Sequence, residues 1–114
     1  MTIKNFFKNV DEGKEKHLPG IEIKECVTCG ELGVTIQVGK EVIHPATPEH
    51  FIQTITLYGV TAENKIKQLT QFNLGQENTL ARVRTTIKQG LFVQLIATSY
   101  CNLHGLWENF IELK

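Results

Sequence analysis

Five residues of this chain bring one thiol and four imidazoles to positions where the backbone turns. Cys101 and His104 lie in "SYCNLHGLWE", a C-x-x-H spacing. A tight turn lets a sulfur and a ring nitrogen at that spacing reach one ion, while backbone N–H groups of the turn face the thiolate. His17 lies in "EKHLP", and His44 and His50 bracket "HPATPEH". All four histidines of the chain sit beside Pro19, Pro45, Pro48 or Gly105, and proline stiffens the backbone by fixing φ. A single loop histidine is ordinarily a solvated polar residue; four out of four at such junctions point to a shared ion. Structural zinc closes at four ligands. One cysteine with four histidines leaves a donor over, which favours a redox metal.

Residues so far apart converge only if a scaffold gathers their loops. Apolar residues alternate, or run in short β-branched blocks, and no stretch holds a helical period beyond about two turns. Val34, Ile36 and Val38 alternate with Thr35 and Gln37. In "FIQTITLYGV", strict alternation puts Phe51, Ile55 and Leu57 on one face and Ile52 and Tyr58 on the other. Further strands are expected at 21–25, 64–72, 80–87, 91–100 and 107–113, with turns at Gly30, Gly75, Gly90 and Gly105. Seven short strands at this spacing predict an all-β fold, a seven-stranded antiparallel β-sandwich, whose loops cluster at two ends. The first dozen residues, with "TIKNFFKNVDEG", make a short helix or an irregular arm. Residues 1–114 read as one domain, without repeat or linker.

Twelve basic and twelve acidic residues cancel, which removes the electrostatic footprint of a nucleic-acid or membrane-surface binder. The N-terminus has no apolar signal-peptide core, and no apolar run is long enough to span a bilayer. A cytoplasmic location is expected. Three cysteines in such a chain argue against a disulfide framework and for a thiol in metal binding or catalysis.

The motifs together resemble the superoxide reductases in their one-iron, neelaredoxin-type form, the iron-binding domain of the desulfoferrodoxins. "EKHLP" is similar to the family's Glu-Lys-His-aliphatic-Pro segment, "GKEVIHPATPEHFI" to its GKE-x-x-HP…EH segment, and "SYCNLHGLWE" to its C-x-x-HG-x-W ending. They come in the family's order from residue 15 to 108. The resemblance implies an immunoglobulin-like sandwich and one iron per chain. His17, His44, His50 and His104 would form the plane around it, and Cys101 the axial thiolate. It further implies reduction of superoxide to hydrogen peroxide, with Lys16 steering the anion and positioning a proton-donating water. Glu15 would ligate the oxidised iron. A rubredoxin-like electron donor and a homo-oligomer, dimer or tetramer, are also implied.

"FIQTITLY" departs from the pattern, since many members carry a tryptophan near Thr54. "CVTCG", with Cys26 and Cys29, resembles the start of a rubredoxin-like domain but lacks the two further cysteines of a four-thiolate site. An ordinary thiol pair in a hairpin turn is the expectation there. A redox-formed disulfide and an intersubunit metal clip are the alternatives. The competing reading of the whole is a blue-copper-like electron-transfer sandwich, but copper would leave two of the four histidines without a role. A structural zinc module without redox function is a third.

Overall fold

The computed structural model describes residues 1–9, 17–26 and 28–113; Glu15 and Lys16 lie outside them. The seven expected segments form seven strands: β1 (Pro19–Cys26), β2 (Glu31–Val38), β3 (Ile52–Val60), β4 (Ile66–Asn73), β5 (Arg82–Lys88), β6 (Gln94–Cys101) and β7 (Gly105–Glu112). They make two antiparallel sheets, ordered β1-β2-β5 and β4-β3-β6-β7.

The core lies between the sheets and comes from the alternation visible in the sequence. Val34, Ile36 and Val38 of β2 face Ile55 and Leu57 of β3 and Leu95 and Ala97 of β6 across one buried cluster. Burying an aliphatic side chain of this size contributes roughly 1.5–3 kcal/mol. β6 alternates without a break: Leu95, Ala97, Ser99 and Cys101 are all buried at every second position. The period-two rule therefore carries Cys101 into the interior as the last inward residue of the row.

One expectation fails. Ile52 does not point away from Ile55 but shares its buried cluster. The β3–β6 register shifts between Ile52 and Thr54, where Ile52 pairs with Cys101 and Thr54 with Tyr100. Gln53 is thus the extra residue of a bulge, and a bulge reverses the alternation beyond it. The bulge sits where β3 meets the segment bearing His50.

At the N-terminus, a short helical turn at Ile3–Asn5 is followed by an arm. The arm lies along β7 through a parallel bridge of Lys8 with Trp107. Lys8 N–H donates to the Leu106 carbonyl at 3.0 Å, and Glu108 N–H donates to that of Lys8 at 2.9 Å. No helix among the described residues is long and apolar enough to cross a membrane.

Strand register defines the two ends of the sandwich. Pro19 pairs with Val38, Ile52 with Cys101 and Cys101 with Gly105, so all five lie at one end. Segments 17–18, 39–51 and 102–104 emerge together there. The Cys26–Glu31 pair closes β1–β2 at the other end.

Candidate metal centre

Each histidine is delivered by a distinct local device. His17 ends the segment leading into β1, where Gly39 N–H donates to the Leu18 carbonyl at 3.4 Å and ties the two segments together. His44 follows a reversal at Gly39, whose φ is +92°. A Cβ there would collide with the Val42 carbonyl oxygen and crowd the His44 amide, so the turn requires glycine. His44 N–H then returns to the Val38 carbonyl at 2.9 Å, and Pro45 holds His44 extended. His50 is anchored by a reciprocal pair of backbone bonds with Thr47, both 3.1 Å. His104 closes the turn after Cys101, and Gly105, at φ +85°, swings the chain back into β7.

These devices bring the ligand atoms together. Donor atoms of His17, His44, His50 and Cys101 all lie within 4.8 Å of one another. His104 completes the set: its Nδ1 is 3.1 Å from His17 Nε2 and 3.7 Å from Cys101 Sγ. Cys101 Sγ is 3.6 Å from His44 Nε2. Donors about 2.0–2.3 Å from one ion are separated by roughly 3–4.5 Å, so the set fits a shared metal. Five of the six residues expected to ligate therefore lie close together, and the sixth, Glu15, is outside the described residues. A copper site using two histidines would leave the other two crowded against it without purpose.

The electrostatics agree. His44 Nδ1 lies 2.9 Å from the Pro45 carbonyl, which can only accept, so Nδ1 carries the proton and Nε2 offers its lone pair to the cluster. Burial, opposed by the Pro45 bond and aided by repulsion from His50, His17 and His104, lowers the His44 pKa from 6.5 to about 4. Burial, followed by repulsion from His104, also lowers that of His50. Neutral imidazole is the metal-binding form. His50 Nε2 is buried with no hydrogen-bond partner among the described residues. An orphaned nitrogen of this kind costs about 1–3 kcal/mol, and a metal bond would relieve it.

Three residues outside the donor set hold this arrangement. Asn102 Oδ1 accepts from Phe51 N–H at 3.0 Å, and its Nδ2 donates to the Glu49 carbonyl at 3.0 Å. Trp107 Nε1 and Lys8 Nζ both donate to the His104 carbonyl at 3.2 Å. The Trp107 ring stacks on His17 with centroids 4.9 Å apart and planes 15° apart, and Lys8 Nζ sits 5.2 Å above the indole. Trp107 carried a signal as part of the "HGLW" motif. Asn102 and Lys8 carried none.

The desulfoferrodoxin family model matches residues 9–110, which include all five donors. The chain belongs to the desulfoferrodoxin family. It is 38% identical to the superoxide reductase of Pyrococcus abyssi, over 98% of this chain and 99% of that one. To the neelaredoxin of Megalodesulfovibrio gigas it is 31% identical, over 96% and 95%. The solved structure of the Archaeoglobus fulgidus neelaredoxin, a superoxide reductase, in the reduced form superposes with a TM-score of 0.84 at 30% identity, covering 96% of this chain and 98% of that one. Membership in this desulfoferrodoxin family and the sandwich fold agree with the expectations raised by the motifs.

Cys26 and Cys29 depart from expectation: they are joined as a disulfide rather than held as two thiols. The four-residue turn brings their Cα atoms to 5.5 Å, a separation a disulfide spans without backbone movement. Cys101 is the free cysteine.

Proposed function

We propose that the chain is a superoxide reductase, adding one electron and two protons to superoxide to give hydrogen peroxide at one mononuclear iron per chain. The carrying observation is the cluster of His17, His44, His50 and Cys101 donors at one end of the sandwich, with His104 Nδ1 beside those of His17 and Cys101. Bound iron would supply the electron and the positive charge that attracts the anion.

The chain's own residues set the conditions. His17, His44, His50 and His104 would hold iron as neutral donors and Cys101 as a thiolate, a donor set that would leave a ferrous site net cationic toward superoxide. Trp107 stacks on His17 and shields that side from water, fixing the ring. Cys101 is fully buried, which restricts its oxidation. Lys16, next to His17 in the chain, steers superoxide and holds a water that donates a proton. Glu15, two residues before His17 in the chain, would be a further carboxylate donor to oxidised iron. A rubredoxin-like donor returns the electron, in the cytoplasm, and the chain works as a dimer or tetramer.

Metal analysis with visible spectra tests the reading. Iron-loaded protein should hold one iron per chain and show a thiolate-to-ferric band that bleaches on reduction. Cys101→Ser should lose the band. Zinc as the native metal, or a band unchanged in the variant, would defeat it.

A further inference from the structure

The Cys26–Cys29 bond has no part in the metal centre. Pro19 marks the metal end of β1 and Cys26 the far end. The seven steps between them, at about 3.3 Å each, put the sulfurs roughly 23 Å from that end. Nor does the turn depend on the bond. The ladder already closes at Cys26 with Glu31, and Gly30 N–H donates to the Cys26 carbonyl at 3.2 Å. A bridge across a loop this short, closed by other means, adds little by restricting the unfolded chain.

We propose that Cys26 and Cys29 form a redox-active couple reduced by a protein dithiol through thiol–disulfide exchange. The two sulfurs are unlike. Cys29 N–H points at Cys26 Sγ at 3.3 Å, and Thr28 Oγ1 lies 3.8 Å from it. These groups stabilise a thiolate on Cys26. Cys29 Sγ is in an exposed residue and lies 3.5 Å from Glu31 Oε1, whose charge opposes a thiolate there. Access and leaving-group stability therefore select the same course. The donor thiolate bonds to Cys29 Sγ, the S–S bond breaks, and Cys26 leaves with the electron pair. The donor's second thiolate then attacks its own sulfur in the mixed disulfide. Cys29 departs, and each cysteine takes up a proton. Two electrons and two protons have passed from the donor dithiol, which becomes a disulfide.

A groove of about 310 Å³ beside the pair, with Lys88 and Gln89 among its polar lining, offers a protein donor a contact surface that a small thiol would not use. It is lined by Ile23, Glu25, Leu32, Ile87, Phe92 and Leu113, and Glu25 and Leu32 are the pair directly below Cys26 and Glu31. A protein approaching the sulfurs can bury apolar surface there.

The test compares thioredoxin, recycled by its reductase and NADPH, with dithiothreitol at equal thiol concentration on the full iron-loaded chain. Reduction is read as double alkylation of Cys26 and Cys29 by peptide mass. Thioredoxin should act at least tenfold faster. A thioredoxin lacking its second cysteine should be trapped on Cys29. Ile23→Glu, at a partly exposed groove position, should slow thioredoxin and leave dithiothreitol unaffected. Equal rates for the two reductants, trapping on Cys26, or two sulfurs that stay reduced in air would each overturn the proposal. So would loss of iron from the folded Cys26→Ser, Cys29→Ser double variant, because the pair would then be a metal ligand.

Discussion

The side chain of Asn102 holds both neighbours of His50, accepting from Phe51 N–H and donating to the Glu49 carbonyl, each at 3.0 Å. The residue next to Cys101 thus fixes an imidazole supplied by a different loop. Its backbone joins in, with Asn102 N–H donating to the Phe51 carbonyl at 3.2 Å.

Asn102→Ala should therefore loosen His50 without removing any donor. Two lost side-chain hydrogen bonds at about 1 kcal/mol each lower stability by roughly 2 kcal/mol. Iron affinity should fall at least tenfold, as for other residues that orient ligands. Competition with a chelator measures the affinity. Asn102→Asp keeps the acceptor for Phe51 N–H but sets a carboxylate oxygen against the Glu49 carbonyl, so it should not restore the affinity lost in the alanine variant.

Gly39→Ala should damage the His44 segment, because the added Cβ meets the Val42 carbonyl at a positive φ. A loss of roughly 1–3 kcal/mol in stability and reduced iron occupancy are expected. Gly90→Ala is the control. Gly90 also has positive φ, but open space surrounds it and it lies outside the three segments that carry the donors. That variant should lose about 1 kcal/mol and bind iron normally.

Much of this was legible in the sequence because it rests on local periodicity. β2 and β6 alternate without interruption, although the strand expected at 91–100 stopped one residue short of Cys101, which the structure shows as the last inward residue of β6. The bulge at Ile52–Thr54 was not legible: it arises from pairing with β6, and inward and outward positions exchange across it. The five donors were visible as residue types at turns. Their supports were not, since Asn102 bonds a segment 51 residues away and Lys8 a carbonyl 96 residues away. An asparagine in a turn or a lysine in an arm carries no mark of so distant a partner. The state of Cys26 and Cys29 was equally hidden, because C-x-x-C spacing permits thiols and disulfide alike.

The metal-free protein should lose stability in acid. The folded His44 pKa, about 4, lies below its ordinary value of 6.5. Between those values the unfolded chain binds a proton that the folded chain refuses. Stability is therefore full above about pH 6.5 and falls as pH drops toward 4. The lowered pKa of His50 acts in the same direction. Urea midpoints of metal-free protein across this range should decline, and the slope should be shallower in His44→Gln. An acid-independent midpoint would contradict the burial of a neutral His44.

Lys16→Ala should leave iron content and the ferric band unchanged while slowing superoxide capture, since a protonated amine attracts the anion but gives no electron pair to the metal. Added salt should slow the parent protein more than the variant, because screening removes long-range attraction. Glu15→Ala should alter the oxidised spectrum without slowing capture. Equal low-salt rates for Lys16→Ala and the parent would remove the lysine from the account.

The yield of hydrogen peroxide per superoxide consumed tests the central claim most directly. Iron-loaded, pre-reduced protein is mixed with less than one equivalent of superoxide, and both peroxide and dioxygen are measured. Reduction predicts one peroxide for each superoxide and no dioxygen, together with oxidation of one iron. Half that peroxide with matching dioxygen, or superoxide decay no faster than in the Cys101→Ser variant, would contradict it.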